Sequence, residues 1–199
     1  MLDKQLFSQY AGLIFDMDGT LIDTMPCHAQ AWLMVGEYYG YALQPEIMYK
    51  MAGAPLRTIA QAIMQEANMP LTLLQDVMRL KRQFGKALIL NQAKLLPAAN
   101  VAKHFYQQKA MALGTGSHRE MTYLLLDKLD IAHCFEAVVT SEDVEKHKPA
   151  PDTFLRCAEL IQVKPQDCLV FEDADLGVQA GLAAGMHVFD VRTCRLITE

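Results

Sequence analysis

Five short apolar runs, bounded by turn or charged residues, recur along the chain at Gly12 to Phe15, Met111 to Gly114, Ala137 to Thr140, Cys168 to Phe171 and His187 to Val191. None alternates strictly between apolar and polar positions, so each reads as a strand buried on both faces. Helical periodicity fills the later intervals, at Ala98 to Gln108, His118 to Leu129, Asp152 to Ile161 and Asp175 to Ala184. Strands joined by helical crossovers predict a doubly wound, parallel α/β sheet of the Rossmann-like type.

Between 23 and 94 the rhythm changes. No convincing strand is found there, only helical patterns interrupted at Gly40, Pro45, Gly53, Pro55 and Pro70. The longest, Thr72 to Gln92, places Leu73, Val77, Leu80, Phe84 and Leu88 at amphipathic spacing. The expectation is an α/β core of residues 1–22 and 95–199 carrying an inserted helical cap of residues 23–94. The two crossings near Asp23 and Lys94 read as hinges, and Pro97 marks the return to the core.

Composition narrows the function. With 199 residues, 52% of them hydrophobic, the chain can bury a sizeable core. A net charge of -5 and the lack of any run of five Lys/Arg argue against nucleic-acid binding, so an anionic substrate needs locally placed cations. Five cysteines without a C-x-x-C pair suggest neither a disulfide framework nor a zinc cluster, and a reducing cytoplasm fits best. The N-terminus lacks the features of a signal peptide, and no stretch offers about 18 uncharged apolar residues, so neither secretion nor a membrane span is expected. The twelve methionines read as core filling.

The first strand is followed by Asp16-Met17-Asp18-Gly19-Thr20, two carboxylates one residue apart. Burying both is costly unless a divalent metal compensates, and Gly19 allows the sharp turn that presents them. An EF-hand is ruled out because the glycine comes too early and the twelfth position is Cys27. Alone, such a segment is equally well a surface turn. Three further segments stand where the same sheet presents its carboxyl ends, the ligand-binding edge of open α/β folds. Gly114-Thr115-Gly116-Ser117 opens a helix, so the Thr115 hydroxyl and the Gly116 and Ser117 amides can hold a phosphoryl oxygen. Lys148-Pro149-Ala150-Pro151-Asp152 places one ammonium on a stiffened backbone before a helix capped by Asp152, although a lone Lys-Pro is more often a surface lysine. Glu172-Asp173-Ala174-Asp175 supplies a second acidic pair, which by itself could serve only as a helix-dipole partner. Together with Asp16 and Asp18 it reads as the far side of one oxygen-ligand metal site.

In this order the D-x-D-G-T, G-T-G-S, K-P-A-P-D and E-D-A-D segments resemble the four motifs of the haloacid dehalogenase superfamily, over nearly the whole chain. The helical insert after the first motif is similar to members with a small helical cap. The later motifs resemble the branch of β-phosphoglucomutases and sugar phosphatases, with A-G-L-I-F-D-M-D-G-T and H-K-P-A-P-D-T-F-L-R-C-A most similar to bacterial fructose-1-phosphate and 6-phosphogluconate phosphatases. The resemblance implies Asp16 as nucleophile and Asp18 as acid and base. Thr115 and Lys148 would be further catalytic groups, with Gly116 and Ser117 binding substrate. Mg²⁺ would be held by Asp16, the Asp18 carbonyl and Asp173, with Glu172 a ligand or an orienting group. It also implies a small phosphorylated metabolite as substrate, and a monomer.

In the insert, His28, Gly53 and Arg57 are candidate substrate contacts; His28 matches a hinge-coupled histidine of the mutases, although a structural role for it, and a plain surface charge for Arg57, stay open. The alternative is a β-phosphoglucomutase-like transferase. Its pattern places a lysine before the cap glycine and an arginine three residues after it, where this chain has Ala52 and Leu56. A non-catalytic binding module is a further alternative, which predicts ligand binding without turnover.

Overall fold

All five apolar runs pair in one sheet. The computed structural model describes residues 4–51 and 54–199. In chain order its α-helices and strands are α1 (Lys4–Ser8), β1 (Gly12–Phe15), β2 (Ile22–Asp23), α2 (Met25–Tyr39), α3 (Glu46–Lys50), α4 (Leu56–Glu66), α5 (Leu74–Gln92) and β3 (Lys94–Leu95), followed by α6 (Pro97–Phe105), β4 (Ala110–Gly114), α7 (Arg119–Lys128), β5 (Ala137–Val139), α8 (Asp152–Leu160), β6 (Cys168–Glu172), α9 (Asp175–Ala183), β7 (His187–Asp190) and β8 (Arg195–Ile197). They divide into two compact units, Met1–Asp23 with Lys94–Glu199, and Thr24–Ala93.

The large sheet of the first unit has the order β5-β4-β1-β6-β7-β8. Every pairing is parallel except that of β8, which returns antiparallel to β7 at the edge. Central β1 sets Phe15 level with Leu113 of β4 and Phe171 of β6, so three strands end together and release their loops side by side. Successive side chains go to opposite faces. Ile14, Ala112, Val170 and Val188 join Phe154, Cys157 and Ala180 in one buried cluster. The rings of Phe15 and Phe171 stack with centroids 4.5 Å apart, and Phe7 meets Phe171 edge-on at 4.9 Å. Burial on both faces is why these strands are continuously apolar.

Several features differ from the sequence-based expectations. Asp23 and Lys94 are not bare crossings but pair in a two-residue antiparallel ribbon, with Ile22 opposite Leu95, an element too short to leave a periodic signal. Strand β8 was likewise illegible, being three residues of which one is exposed and two are partly covered. Asp152 is the first residue of α8 rather than its cap; Pro151 occupies the cap position, no side chain bonds there, and the carboxylate acts only through the helix dipole.

The second unit is helical, with Trp32, Val35, Ile63, Met64, Val77 and Leu80 in its core. The stripe that α5 buries is turned from the expected one. Leu74, Val77, Met78, Leu80, Lys81, Gly85 and Ile89 are buried, whereas Leu73, Phe84 and Leu88 are only partly covered. The reason is the close approach of α2: a Cβ on Gly85 would stand 3.8 Å from both the Ala31 Cβ and the His28 ring. Among the described residues no helix is long and apolar enough to cross a membrane.

Candidate active site

Because β1, β4 and β6 end level, their loops bring the predicted groups into one cluster. The Asp16 amide donates to the Phe171 carbonyl at 3.0 Å, extending the β1–β6 pairing to the residue whose carboxylate stands at the sheet edge. Gly19 then turns the chain at φ +91°, and a Cβ there would lie 2.2 Å from Asp173 Oδ2. Glycine is therefore required twice at this point, for the backbone and for the acid beside it. The Thr20 hydroxyl donates to the other Asp173 oxygen at 2.7 Å.

Lys148 arrives on the loop after β5, next to a cis Lys148–Pro149 peptide bond. Its ammonium donates to Asp16 Oδ1 at 2.6 Å, to Glu172 Oε1 at 2.7 Å and to the Gly114 carbonyl at 3.3 Å. It also lies 4.6 Å from the centroid of the Phe154 ring. Glu172 is 1% exposed, and its second oxygen accepts the amides of Asp173 at 2.8 Å and Ala174 at 2.7 Å. Room for that carboxylate comes from Gly177, where a Cβ would sit 1.8 Å from Oε1. In the sequence Gly177 is the glycine of an E-D-A-D-x-G segment, with no role attached to it. The only trace of its role is a glycine five residues beyond a glutamate, inside a helix start.

In the loop after β4, the Thr115 hydroxyl oxygen accepts the Ser117 amide at 3.0 Å. The Ser117 amide, expected to face a phosphoryl oxygen, thus makes a bond within its own loop. Gly116 is exposed, with open space around its Cα. The Ser117 hydroxyl donates to Asp18 Oδ2 at 2.5 Å. The loop after β5 braces this segment from the side. Ser141 donates its amide to the Ser117 carbonyl at 3.1 Å, and Glu142 accepts the Arg119 amide at 3.0 Å and pairs with His118 Nδ1 at 3.0 Å. Although burial opposes it, the bonds from His118 and Arg119, with one from the Thr140 hydroxyl at 3.1 Å, hold Glu142 down to about 2.

The charge balance is the distinctive property of this cluster. Asp16, Glu172 and Asp173 offer carboxylate oxygens that lie within 4.8 Å of one another, with Asp18 adjoining and Lys148 the ammonium that bridges two of the acids. Burial first, and then Glu172 and Asp173, push Asp16 well above the ordinary carboxylate range, although Lys148 opposes them. Asp173 is pushed up to about 6 by burial and by Glu172. Burial alone would lower Lys148, but Asp16 and Glu172 outweigh it and keep the ammonium protonated. One lysine cannot neutralise three clustered acids, two of them buried and the third partly so, and the donor set is all hard oxygen, so the residues present fit a divalent cation such as Mg²⁺. Glu172 already has both oxygens on protein donors, which leaves Asp16 and Asp173 as the carboxylates suited to direct ligation.

The helical unit's candidates stand apart from this cluster in the chain. Lys81, itself buried, donates to His28 Nδ1 at 2.8 Å and lies 5.9 Å from the Trp32 ring centroid. Arg57 is exposed, at the second position of α4. Gly53 and Ala52 lie outside the described residues.

A model of the haloacid dehalogenase-like hydrolases matches residues 13–191. Fructose-1-phosphate phosphatase YqaB of Escherichia coli K12 is 44% identical over 94% of this chain and 99% of its own length. A phosphorylated carbohydrates phosphatase of Thermotoga maritima is 30% identical, over 88% of this chain and 82% of its own. Among solved structures, β-phosphoglucomutase from Clostridium difficile shares the fold with a TM-score of 0.77 at 22% identity, over 91% of this chain and 84% of that one.

Proposed function

The chain belongs to the haloacid dehalogenase-like hydrolase family and is a phosphoric monoester hydrolase; from that premise we propose that it hydrolyses small sugar phosphates of the fructose 1-phosphate and 6-phosphogluconate type through a phosphorylated Asp16. The observation that carries the reading is the cluster of buried Asp16, Lys148 and Glu172 with partly covered Asp173 at the sheet edge. Such a set holds a carboxylate nucleophile where a phosphate dianion would otherwise be repelled.

Asp16 attacks phosphorus, the bond to the sugar oxygen breaks, and Asp18 gives that oxygen a proton. Asp18 then takes a proton from the water that attacks the acyl phosphate, which frees Asp16. The Thr115 oxygen accepts the Ser117 amide, so its own proton points to another acceptor, and an equatorial phosphoryl oxygen is the natural one. Lys148 stays an ammonium through both steps and restrains Asp16 in one orientation. Asp16, the Asp18 carbonyl and Asp173 would hold Mg²⁺, with Glu172 fixing Lys148 and the Asp173 backbone around them. When bound, Mg²⁺ supplies the positive charge that offsets repulsion between carboxylate and phosphate. The four buried free thiols fit a cytoplasmic protein, and the site needs no second copy, in keeping with a monomer.

Asp173 makes the metal dependence sensitive to pH. Its folded-state value of about 6 is above the ordinary 3.8. In metal-free protein its favourable contribution is therefore complete below about pH 4 and is lost as pH rises through 6, a change on the order of 3 kcal/mol. Mg²⁺ competes with that proton. Its apparent affinity, read from the rise in melting temperature on Mg²⁺ titration, is expected to fall by about tenfold per unit or more below pH 6, because Asp16, raised as well, must also be ionised to ligate. A pH-independent affinity would remove Asp173 from the site.

The function is tested by incubating the protein and Mg²⁺ with fructose 1-phosphate, 6-phosphogluconate, β-glucose 1-phosphate and p-nitrophenyl phosphate. Phosphate release from the first two, abolished by chelation, is the expected result. Glucose 6-phosphate formed without free phosphate would instead favour the mutase, and silence throughout a binding module.

A further inference from the structure

Ser117 engages all three of its polar groups within the core unit. Its amide donates to the Thr115 hydroxyl oxygen at 3.0 Å, its carbonyl accepts the Ser141 amide at 3.1 Å, and its hydroxyl donates to Asp18 Oδ2 at 2.5 Å. The last distance is at the short end of the range for a hydroxyl donating to a carboxyl oxygen. It joins the loop after β1 to the loop after β4, across 99 residues of chain. The serine itself is held from the next loop, because Glu142 binds the amide of Arg119 and the ring of His118 just beyond it. A hydroxyl anchored on both sides by backbone bonds restricts where one oxygen of Asp18 can be.

We propose that Ser117 is the positioning residue for Asp18, holding Oδ2 so that Oδ1 meets the reacting oxygens. The inference rests on the reading of Asp18 as acid and base. As the bond between phosphorus and the leaving oxygen breaks, its electron pair takes the proton from Asp18 Oδ1. The carboxylate so formed is met at Oδ2 by the Ser117 O–H. When water attacks the acyl phosphate, Oδ1 takes its proton while Oδ2 remains on the serine. Through its amide the same residue orients Thr115, so one side chain and its backbone set the acid in register with the phosphoryl-holding group.

Leaving-group chemistry separates this role from a structural one. A sugar alkoxide needs a proton as it departs, whereas p-nitrophenolate leaves readily without one, so only the former depends on a well-placed acid. Ser117→Ala deletes the hydroxyl and keeps both backbone bonds. We expect its kcat/KM to fall about tenfold or more on fructose 1-phosphate and less than about threefold on p-nitrophenyl phosphate. Ser117→Thr should recover most of the loss, and the Mg²⁺-induced rise in melting temperature should match the parent in both. Equal losses on the two esters, or none, overturn the proposal. Should the alanine variant fail to fold by circular dichroism, Ser117→Cys, with its weak donor, carries the same comparison. Asp18→Asn tests the premise separately: sugar-phosphate hydrolysis that survives it overturns the acid–base reading and the proposal with it. Loss there, without discrimination between esters at Ser117→Ala, overturns the proposal alone.

Discussion

Asp16→Asn is expected to lower phosphate release by at least about 1,000-fold and to leave the metal-free fold as stable as the parent or more so. The two halves have different causes. An amide cannot form the acyl phosphate, so the chemical step is lost. The same change removes one of three crowded acids, and burial together with Glu172 and Asp173 pushes Asp16 well away from its ionised form. The asparagine carbonyl can still accept from Lys148, which reaches Oδ1 at 2.6 Å in the parent. Steady-state assays beside thermal unfolding in chelator check both halves. Turnover within tenfold of the parent would exclude Asp16 as nucleophile, and a large loss of stability would mean that the Asp16–Lys148 pair is worth more than the repulsion it sits in.

Lys148→Ala should show the opposite balance, losing stability as well as activity. The ammonium is 4% exposed and is shared between Asp16 and Glu172. Its removal leaves two buried carboxylates without that cation, and breaking a buried pair in this way costs about 3–5 kcal/mol. The deficit should shrink on acidification, because both acids can then take up protons, and on adding Mg²⁺, which restores positive charge. Denaturant titrations at pH 5 and pH 7.5, with and without Mg²⁺, read these effects directly. An unchanged midpoint at pH 7.5 would show that Lys148 does not compensate the acids. Activity should fall about 100-fold or more even where Mg²⁺ restores the fold, because Asp16 loses the group that orients it.

Much of this site was legible from spacing. The D-x-D-G-T, G-T-G-S, K-P-A-P-D and E-D-A-D segments each follow an apolar run, and apolar runs buried on both faces are hard to mistake for anything but parallel strands. What was not legible is which partner each group takes. Glu172 could have been a metal ligand or an orienting acid, and only the folded chain shows both its oxygens occupied, with Gly177 making room beneath. The bond from the Ser117 amide to Thr115 within the loop had no signal in the sequence. In the helical unit, amphipathic spacing located α5 correctly but misjudged its buried stripe, because Gly85 and the Lys81–His28 contact allow α2 to approach on a neighbouring line.

By itself the sequence determined the order of strands and helices, the place of the insert and the identity of the acids and the lysine, since hydrophobic periodicity and turn chemistry are local properties. Tertiary structure alone decided the register that levels β1, β4 and β6, the sharing of Lys148 between two acids, and the bond from Ser117 to Asp18. These depend on distances between residues roughly a hundred positions apart. Such distances are set by how side chains of both faces pack against the sheet, a collective outcome that no single segment encodes.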